Sequence, residues 1–178
     1  RVCKGRRCRH GGDRRLSRTR AITPAELRKL LAILPPEAAL AVRISADTGL
    51  RVSDVLALKA SDIAPTMTVT ERKTGKRRKV RLKQATVRAC QAYAGRKDAP
   101  LLNVNRSTVY RQVRKAAAEL GMEHVSMHSI RKLYARQYCR AHGLAATQKE
   151  LQHDYLSTTL LYVLAPEDVE RMMQDVHE

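Results

Sequence analysis

Two short segments near the end of the sequence contain the residue types needed to attack a phosphodiester. His128 and Arg131 are three residues apart, and Tyr162 follows His153 by nine residues. A second arginine, Arg51, stands upstream, directly after a Thr-Gly-Leu sequence. A tyrosine phenol has an ordinary pKa of about 10 and must be helped to lose its proton before it can act as a nucleophile. Two guanidiniums can neutralise the phosphate through paired hydrogen bonds, and histidines can bind its remaining oxygens or move protons.

Each of these residues also has an ordinary structural interpretation. Arg51 can be one more surface arginine in a chain with 35 basic residues, or a side chain that meets an anion near a helix N-terminus. His128 and Arg131 share one face of a predicted helix, where a half-buried histidine beside a solvated arginine is common. Singly each signal is weak, and only their joint order and spacing indicate a shared site.

Lys73 is the sixth candidate and adjoins Thr74-Gly75, which has the composition of a hairpin turn. A lysine at an exposed turn tip can enter a DNA groove and protonate a leaving alkoxide as a general acid. The competing interpretation is a plain contact to phosphate. That plain role is the one expected for the basic residues that follow, Lys76, Arg77, Arg78 and Lys79.

Tyr162 has rivals for the role of nucleophile, because the chain contains six tyrosines. Tyr155 lies two residues after His153 and is the serious rival. The remaining tyrosines fall within helical patterns, which indicates core or surface positions; they are Tyr93, Tyr110, Tyr134 and Tyr138.

The charge of the chain indicates a polyanionic partner. The net charge is +18, from 35 basic and 17 acidic residues, which favours DNA or RNA over a merely solubilising surface. The basic residues are not gathered on one amphipathic helix and no long apolar run occurs, so no membrane partner is expected. The absence of Phe and Trp disfavours binding of single strands by base stacking and favours contacts to a duplex backbone.

The four cysteines do not predict a metal site. Cys3, Cys8 and His10 contain zinc-binding residue types, but the spacing is loose and no matching second pair follows. We therefore expect reduced thiols, with Cys90 and Cys139 as small core residues, and neither a metal nor a cofactor.

The apolar pattern predicts a mainly helical α+β domain over residues 21–178, preceded by a basic linker or arm at residues 1–20. Thr23-Pro24-Ala25-Glu26 is a capping box with proline at the first helical position, and Pro35-Pro36 ends that helix. Alternating and β-branched residues within 67–82 predict an antiparallel hairpin, with a third strand left open. Further helices are predicted over 37–48, near 53, and over 84–94, 107–120, 128–142, 147–151, 157–163 and 167–177.

Together these motifs resemble the catalytic domain of tyrosine recombinases, the phage integrase family, over about residues 23–162. The motifs that carry the resemblance are Thr48 to Asp54 (the first arginine motif), Lys73-Thr74-Gly75 (the hairpin lysine), His128-Ser129-Ile130-Arg131 (the His-x-x-Arg box), Leu151-Gln152-His153 (the Leu-Gly-His box) and Tyr162. Two positions depart from the family pattern. Asp54 stands where glutamate is usual and keeps the charge. Gln152 replaces the usual glycine and is expected to alter the local turn without abolishing activity.

The resemblance implies a fold with a small hairpin or three-stranded sheet and a defined chemistry. A tyrosine attacks the scissile phosphate of double-stranded DNA, forms a 3′-phosphotyrosine and frees a 5′-hydroxyl, without metal, cofactor or ATP. The implied roles are Tyr162 as nucleophile, Arg51 and Arg131 as clamps on the non-bridging oxygens, His153 as a hydrogen-bond donor, Lys73 as general acid and His128 as an aid to proton transfer.

The resemblance also implies an assembly: a homo-oligomer, namely a tetramer on two DNA sites, with room for an accessory DNA-bending protein. A site-specific recombinase or integrase of a mobile element, acting on DNA in a prokaryotic cytoplasm, is the expected context. Full proteins of the family carry an N-terminal DNA-clamping domain, so the chain is expected to be the catalytic half alone. The last predicted helix packs either in cis or on a neighbouring protomer, and its apolar face comprises Val169, Met172, Met173 and Val176.

Three alternatives remain open from sequence. A type IB topoisomerase shares the chemistry but rejoins the same strand, and a DNA relaxation assay separates it. A catalytically silent DNA-binding module fits the charge but not the complete set of six residues. An RNA-binding protein fits the charge alone, and covalent attachment to DNA would exclude it.

Overall fold

The computed structural model describes residues 19–96 and 98–164. Within these residues the chain forms eight α-helices, one 3₁₀ turn and a two-stranded antiparallel sheet. In chain order they are α1 (Pro24–Ile33), α2 (Pro36–Thr48), α3 (Val52–Val55), the 3₁₀ turn (Ala60–Asp62), β1 (Thr66–Thr70), β2 (Arg77–Arg81), α4 (Gln84–Tyr93), α5 (Arg106–Glu119), α6 (Met127–His142), α7 (Leu144–Leu151) and α8 (Leu156–Val163).

The predicted mainly helical α+β class with a small hairpin is confirmed. The third strand left open by the sequence is absent from the described part of the chain. The predicted final helix over 167–177, most of the basic arm and the Cys3, Cys8 and His10 group lie outside the described residues. The domain boundary near residue 21 stays a prediction. None of the helices in the described residues combines the length and apolar character that crossing a membrane requires.

The helix boundaries follow from local chemistry. At the start of α1 the Thr23 side chain accepts from the Glu26 N–H, and the Glu26 carboxylate accepts from the Thr23 N–H. This reciprocal pair satisfies two N–H groups that have no partner inside the helix. Gly143, with φ of 81°, ends α6 and directly precedes α7. Because one glycine makes this turn, α7 begins three residues earlier than the sequence pattern predicts.

Helix α2 forms the centre of the core. Most of its length is buried, and it packs against α6 as well as α3, α4 and α5. The largest fully buried apolar side chains come from separate elements, and they are Leu30, Ile44, Leu50, Ile130 and Leu151. Burying a side chain of this size stabilises the fold by about 1.5–3 kcal/mol before entropy is counted. Leu50 and Leu151 each lie next to a segment with a candidate catalytic residue, so the core fixes those segments.

The hairpin of β1 and β2 has one buried and one exposed face. Thr66 pairs with Arg81 and Thr70 with Arg77, which places threonines opposite basic residues on the solvent side. Arg78 corrects the expectation of a plain phosphate contact, because its side chain is only 6% exposed. It donates to the carbonyl oxygens of Glu150, at 2.6 Å, and of Thr48. Arg78 is therefore a structural residue that joins the hairpin to α2 and α7.

Candidate active site

All six predicted catalytic residues line one cleft of about 600 Å³. They come from five separate segments of the chain: the α2–α3 turn, the hairpin turn, the N-terminal part of α6, the α7–α8 loop and α8. The residues are Arg51, Lys73, His128, Arg131, His153 and Tyr162. The fold thus brings together groups that are as far apart in sequence as residues 51 and 162, as their order and spacing predict.

Arg131 is the buried anchor of the cleft. Its side chain is 2% exposed, and its guanidinium donates to the carbonyl oxygen of Gly49 and, at 2.9 Å, to that of Leu151. Gly49 lies two residues before Arg51, and Leu151 lies two residues before His153. One arginine on α6 therefore fixes both the turn with the first arginine and the loop with the second histidine.

Gly49 is required at this position by its backbone and by its neighbour. It ends α2 with φ of 65°, a left-handed conformation that disfavours side chains. A Cβ atom placed on it would overlap the aromatic ring of Tyr134 on α6. The close approach lets the Gly49 carbonyl oxygen reach Arg131.

Arg51 is half-buried and forms an ion pair with Glu71, which is fully buried at the start of the hairpin turn. Arg78 lies 3.9 Å from the second carboxylate oxygen of Glu71. A buried carboxylate requires such cationic partners, because burying it unpaired is strongly unfavourable. Glu71 therefore orients Arg51. Sequence reasoning missed Glu71, although an acidic residue directly before the basic segment 72–81 is a signal that could have drawn attention to it.

The electrostatics of the cleft favour an anion between the arginines. Burial, and then the neighbouring Arg51, lower the pKa of Arg131 to about 10, so the guanidinium stays charged at neutral pH. The Arg131 Nε atom is buried and has no hydrogen-bond partner among the described residues. Two like charges held together in a partly buried site gain most from a ligand such as phosphate, which takes paired hydrogen bonds.

His153 is held in a neutral state. Burial, and then Arg131 and Arg51, lower its pKa to about 4. Its Nδ1 lies 3.0 Å from the hydroxyl of Thr159, a fully buried residue of α8. When that hydroxyl donates to Nδ1, the neutral ring carries its proton on Nε2 and can donate to a ligand oxygen. Thr159 was not singled out from the sequence, because a threonine within a helix gives no local signal of such a contact.

His128 lies near the start of α6, where Ser126 caps the helix and accepts from the His128 N–H. Partial desolvation, and then the Arg131 and Arg106 guanidiniums, lower the pKa of His128. The Tyr110 hydroxyl lies 3.4 Å from its Nδ1. His128 is therefore biased toward the neutral form, which can accept a proton.

Tyr162 is half-buried on α8 with cationic and aromatic neighbours. Its ring centroid is 4.9 Å from that of His153, and the guanidinium carbon of Arg131 and the Nζ of Lys132 each lie 5.9 Å from it. Two cationic side chains therefore lie against the ring of Tyr162. The rival Tyr155 also lines the cleft, but it is 72% exposed at the beginning of α8.

Among the other four tyrosines, one lines the cleft and three do not. Tyr110 lines the cleft and contacts His128, so the expectation of a plain core or surface position is too simple for it. Tyr134 donates to Glu150 at 2.8 Å, and burial followed by this bond raises its pKa. Tyr93 and Tyr138 do not line the cleft. Tyr162 is thus the tyrosine with the most cationic surroundings among those facing the cleft.

Lys73 lies in the turn of the hairpin, exposed, and faces the cleft. The base of this turn is held by Asp54, a buried residue whose Oδ1 accepts from the Arg72 N–H at 3.0 Å. No cluster of three or more metal-ligating His, Cys, Asp or Glu side chains occurs among the described residues.

Comparison with known proteins decides the family. The sequence model described as "Phage integrase family" matches residues 20–168. A Bacillus subtilis protein named as a probable integrase/recombinase, YoeC, is 30% identical over 137 residues, which is 70% of this chain and 76% of the relative. The chain belongs to the phage integrase family. The expected family membership is confirmed, and the chain is a recombinase catalytic domain.

Solved structures agree with the integrase-family fold. The XerA recombinase superimposes with a TM-score of 0.68 at 25% identity, covering 89% of this chain and 65% of that one. A lambda integrase dimer bound to a core site gives a TM-score of 0.67 at 22% identity, covering 81% of this chain and 47% of that one. The catalytic domain of bacteriophage HP1 integrase gives 0.62 at 24% identity, covering 88% of this chain and 94% of that domain.

Both departures from the phage integrase pattern are accommodated. Asp54 remains buried and binds the hairpin backbone, as described above. Gln152 adopts φ of 52° and ψ of 45°, the left-handed conformation for which glycine is the usual residue. The backbone at Gln152 is thus one that suits glycine, and the expectation that glutamine alters the local turn stays a prediction.

Proposed function

We propose that this domain cuts and rejoins double-stranded DNA through a 3′-phosphotyrosine on Tyr162. The observation that carries the proposal is the position of Tyr162 beside Arg131 and His153, in the same cleft as the other three candidate residues. A phenol can attack a phosphodiester only where its proton can be removed and the phosphate charge is neutralised, and this cleft supplies groups for both.

The proposed step begins with attack of the Tyr162 oxygen on phosphorus. The new bond joins the phenolic oxygen to phosphorus, the bond from phosphorus to the 5′-oxygen breaks, and neutral His128 accepts the phenolic proton. Lys73 donates the proton that turns the leaving oxygen into a 5′-hydroxyl. The covalent link retains the energy of the broken phosphodiester, so a 5′-hydroxyl from a partner strand can reverse the step.

The charged residues of the cleft stabilise the transition state. Arg51 and Arg131 bind the two non-bridging oxygens, where negative charge increases as phosphorus becomes five-coordinate. Neutral His153 donates a hydrogen bond from Nε2 to one of these oxygens. Because Arg131 is tied to two backbone carbonyls and Arg51 to a buried carboxylate, both guanidiniums are oriented before DNA binds.

Duplex DNA is the proposed partner, and a homo-tetramer on two DNA sites, with room for an accessory DNA-bending protein, is the proposed assembly. The exposed basic residues of the hairpin, Lys76, Arg77, Lys79 and Arg81, support contacts to the DNA backbone. The lambda integrase structure is a dimer bound to a core site, which is consistent with a DNA-bound oligomer. The proposed location is the cytoplasm of a prokaryote, on DNA.

The test uses nicked duplexes with randomised sequence as suicide substrates. A nick next to the cleavage point lets the short fragment that carries the new 5′-hydroxyl diffuse away, which traps the covalent complex. We expect wild-type protein to form DNA adducts that survive denaturation, with the linked peptide containing Tyr162. Tyr162→Phe should give no adduct and retain DNA binding, whereas Tyr155→Phe should still react. An adduct formed by Tyr162→Phe, or none formed by the wild type, would overturn the proposal.

A further inference from the structure

We propose that Gln152 is a positioning residue for Lys73, holding the hairpin turn to the loop that carries His153. The proposal rests on the function proposed above, because it gives Lys73 the role of general acid. Gln152 stands where the family pattern has glycine, and its side chain points into the same cleft. A glycine at this position could supply the backbone turn but could form no side-chain contact across the cleft.

The backbone around Gln152 makes a left-handed helix end. The Gln152 N–H donates to the Lys149 carbonyl oxygen and the His153 N–H donates to that of Gln148, each at 3.1 Å. These two bonds and the left-handed residue form a Schellman motif, in which glycine is strongly favoured. Glutamine is disfavoured in this conformation, so its presence calls for a contribution from the side chain.

That contribution is a contact with the hairpin turn. The Thr74 hydroxyl donates to the Gln152 side-chain oxygen at 3.1 Å, and both side chains are half-buried. Thr74 directly follows Lys73, and Gln152 directly precedes His153. The hydrogen bond therefore joins the immediate neighbours of two candidate catalytic residues that lie 80 positions apart in the chain. Its geometric effect is to fix the ammonium group relative to the phosphate-binding histidine.

Other contacts hold the base of the turn better than its tip. At the base, Asp54 binds the Arg72 N–H, and the Gly75 N–H donates to the Glu71 carbonyl oxygen at 2.8 Å. Toward the tip, Lys76 and Asp154 form an ion pair at 3.6 Å, but both side chains are largely exposed, which makes the pair weak. The Thr74–Gln152 hydrogen bond is the better-shielded connection between the tip and the α7–α8 loop.

The experiment compares two leaving groups. A 5′-bridging sulfur leaves without needing a proton, so a substrate with that sulfur bypasses the general acid. We expect Gln152→Gly to cleave an ordinary suicide substrate about tenfold more slowly, because the acid is no longer held in place. On the sulfur substrate the same variant should react within about twofold of wild type. Lys73→Ala should show the same selectivity with a larger loss on the ordinary substrate.

Matched variants distinguish the loss of the Thr74–Gln152 hydrogen bond from general effects of a substitution on the fold. Gln152→Asn retains the amide and tolerates the left-handed turn, but it is one carbon shorter and should behave like Gln152→Gly. Thr74→Val removes the hydroxyl and should reproduce the selectivity, whereas Thr74→Ser keeps the donor and should restore ordinary cleavage. The double variant Gln152→Gly/Thr74→Val should be no slower than Thr74→Val alone, because the Thr74–Gln152 hydrogen bond is already absent from that single variant.

A second readout does not depend on catalysis. Gln152→Gly should keep or raise the melting temperature, since glycine suits the turn, while amide hydrogen exchange at residues 73–76 becomes faster. Unchanged exchange there, unchanged cleavage of the ordinary substrate, or an equal loss on both substrates would overturn the positioning role. If the wild type forms no tyrosine adduct at all, the proposed function fails, and faster exchange in Gln152→Gly would still establish the contact itself.

Discussion

Arg131 donates a hydrogen bond to the carbonyl oxygen of Gly49, so the buried arginine on α6 is fixed to the turn that carries Arg51. This bond forms because Gly49 ends α2 in a left-handed conformation and lies directly against the ring of Tyr134. The relative position of the two arginines therefore depends on the absence of a side chain at residue 49. A conformational requirement of the backbone becomes a requirement of the proposed phosphate-binding site.

We predict that Gly49→Ala lowers the free energy of unfolding by at least about 2 kcal/mol, from left-handed strain together with overlap against Tyr134. Urea unfolding monitored by circular dichroism measures the change. Gly121→Ala is the matched control, since Gly121 has φ of 66° but open space around the added methyl group. It should lose only the backbone contribution, about 1 kcal/mol. Equal losses for the two variants would show that Tyr134 does not restrict residue 49.

We predict that Arg51→Lys and Arg131→Lys each slow cleavage by about 10²-fold or more, while DNA affinity changes much less. Lysine keeps the charge but loses the planar fork that can bind two oxygens. Single-turnover adduct formation and filter binding measure the two quantities.

Arg88→Lys, on the exposed surface of α4, is the control for the arginine variants and should cleave normally. Arg131→Lys should also reduce stability, because it removes bonds to Gly49 and Leu151, whereas Arg51→Lys should affect stability less. If both cleft variants cleave within about threefold of wild type, the guanidiniums do not act as transition-state donors.

The sequence predicted the six candidate residues and most helices because those features are local or ordered along the chain. Apolar periodicity, capping residues and glycine stops place α1, α2, α5 and α6 to within a residue or so of their observed ends. Arg78 and Glu71 could not be placed in this way. Whether a charged side chain is buried depends on partners from distant segments. For Arg78 these partners are the carbonyl groups of Thr48 and Glu150, and no local sequence pattern indicates them.

The lowered pKa of His153 predicts how stability depends on pH. An unfolded histidine has a pKa of about 6.5, and the folded-state pKa of His153 is about 4. Between these values the unfolded chain binds a proton that the folded chain does not, so stability should fall as pH decreases from about 6.5 toward 4. Above about pH 6.5 the contribution of His153 to stability no longer changes with pH. Unfolding free energies at pH 7 and pH 5 measure the difference.

His153→Gln is the control for this pH dependence, because it removes the titrating group and should reduce the loss of stability between pH 7 and pH 5. Nuclear magnetic resonance titration of the His153 ring gives the pKa directly. A measured pKa at or above 6.5 would mean that the ring is solvated, and it would contradict a neutral His153 in the free protein.

Neighbouring arginine and lysine residues on β2 should differ sharply in their effect on DNA binding. Lys79 is exposed and Arg78 is buried, although they are adjacent in sequence. We predict that Lys79→Ala reduces the slope of log affinity against log salt by about 0.9, the value for one lost phosphate contact on duplex DNA, and leaves stability nearly unchanged. Binding isotherms at several salt concentrations measure the slope.

Arg78→Ala should do the reverse. It removes hydrogen bonds to two carbonyl groups and one cation near buried Glu71, so we expect a loss of about 3 kcal/mol in unfolding free energy with the salt slope of the folded protein unchanged. Binding is measured at a temperature where the variant remains folded. A reduced salt slope for Arg78→Ala at full stability would place its guanidinium on DNA and would contradict its burial between the hairpin, α2 and α7.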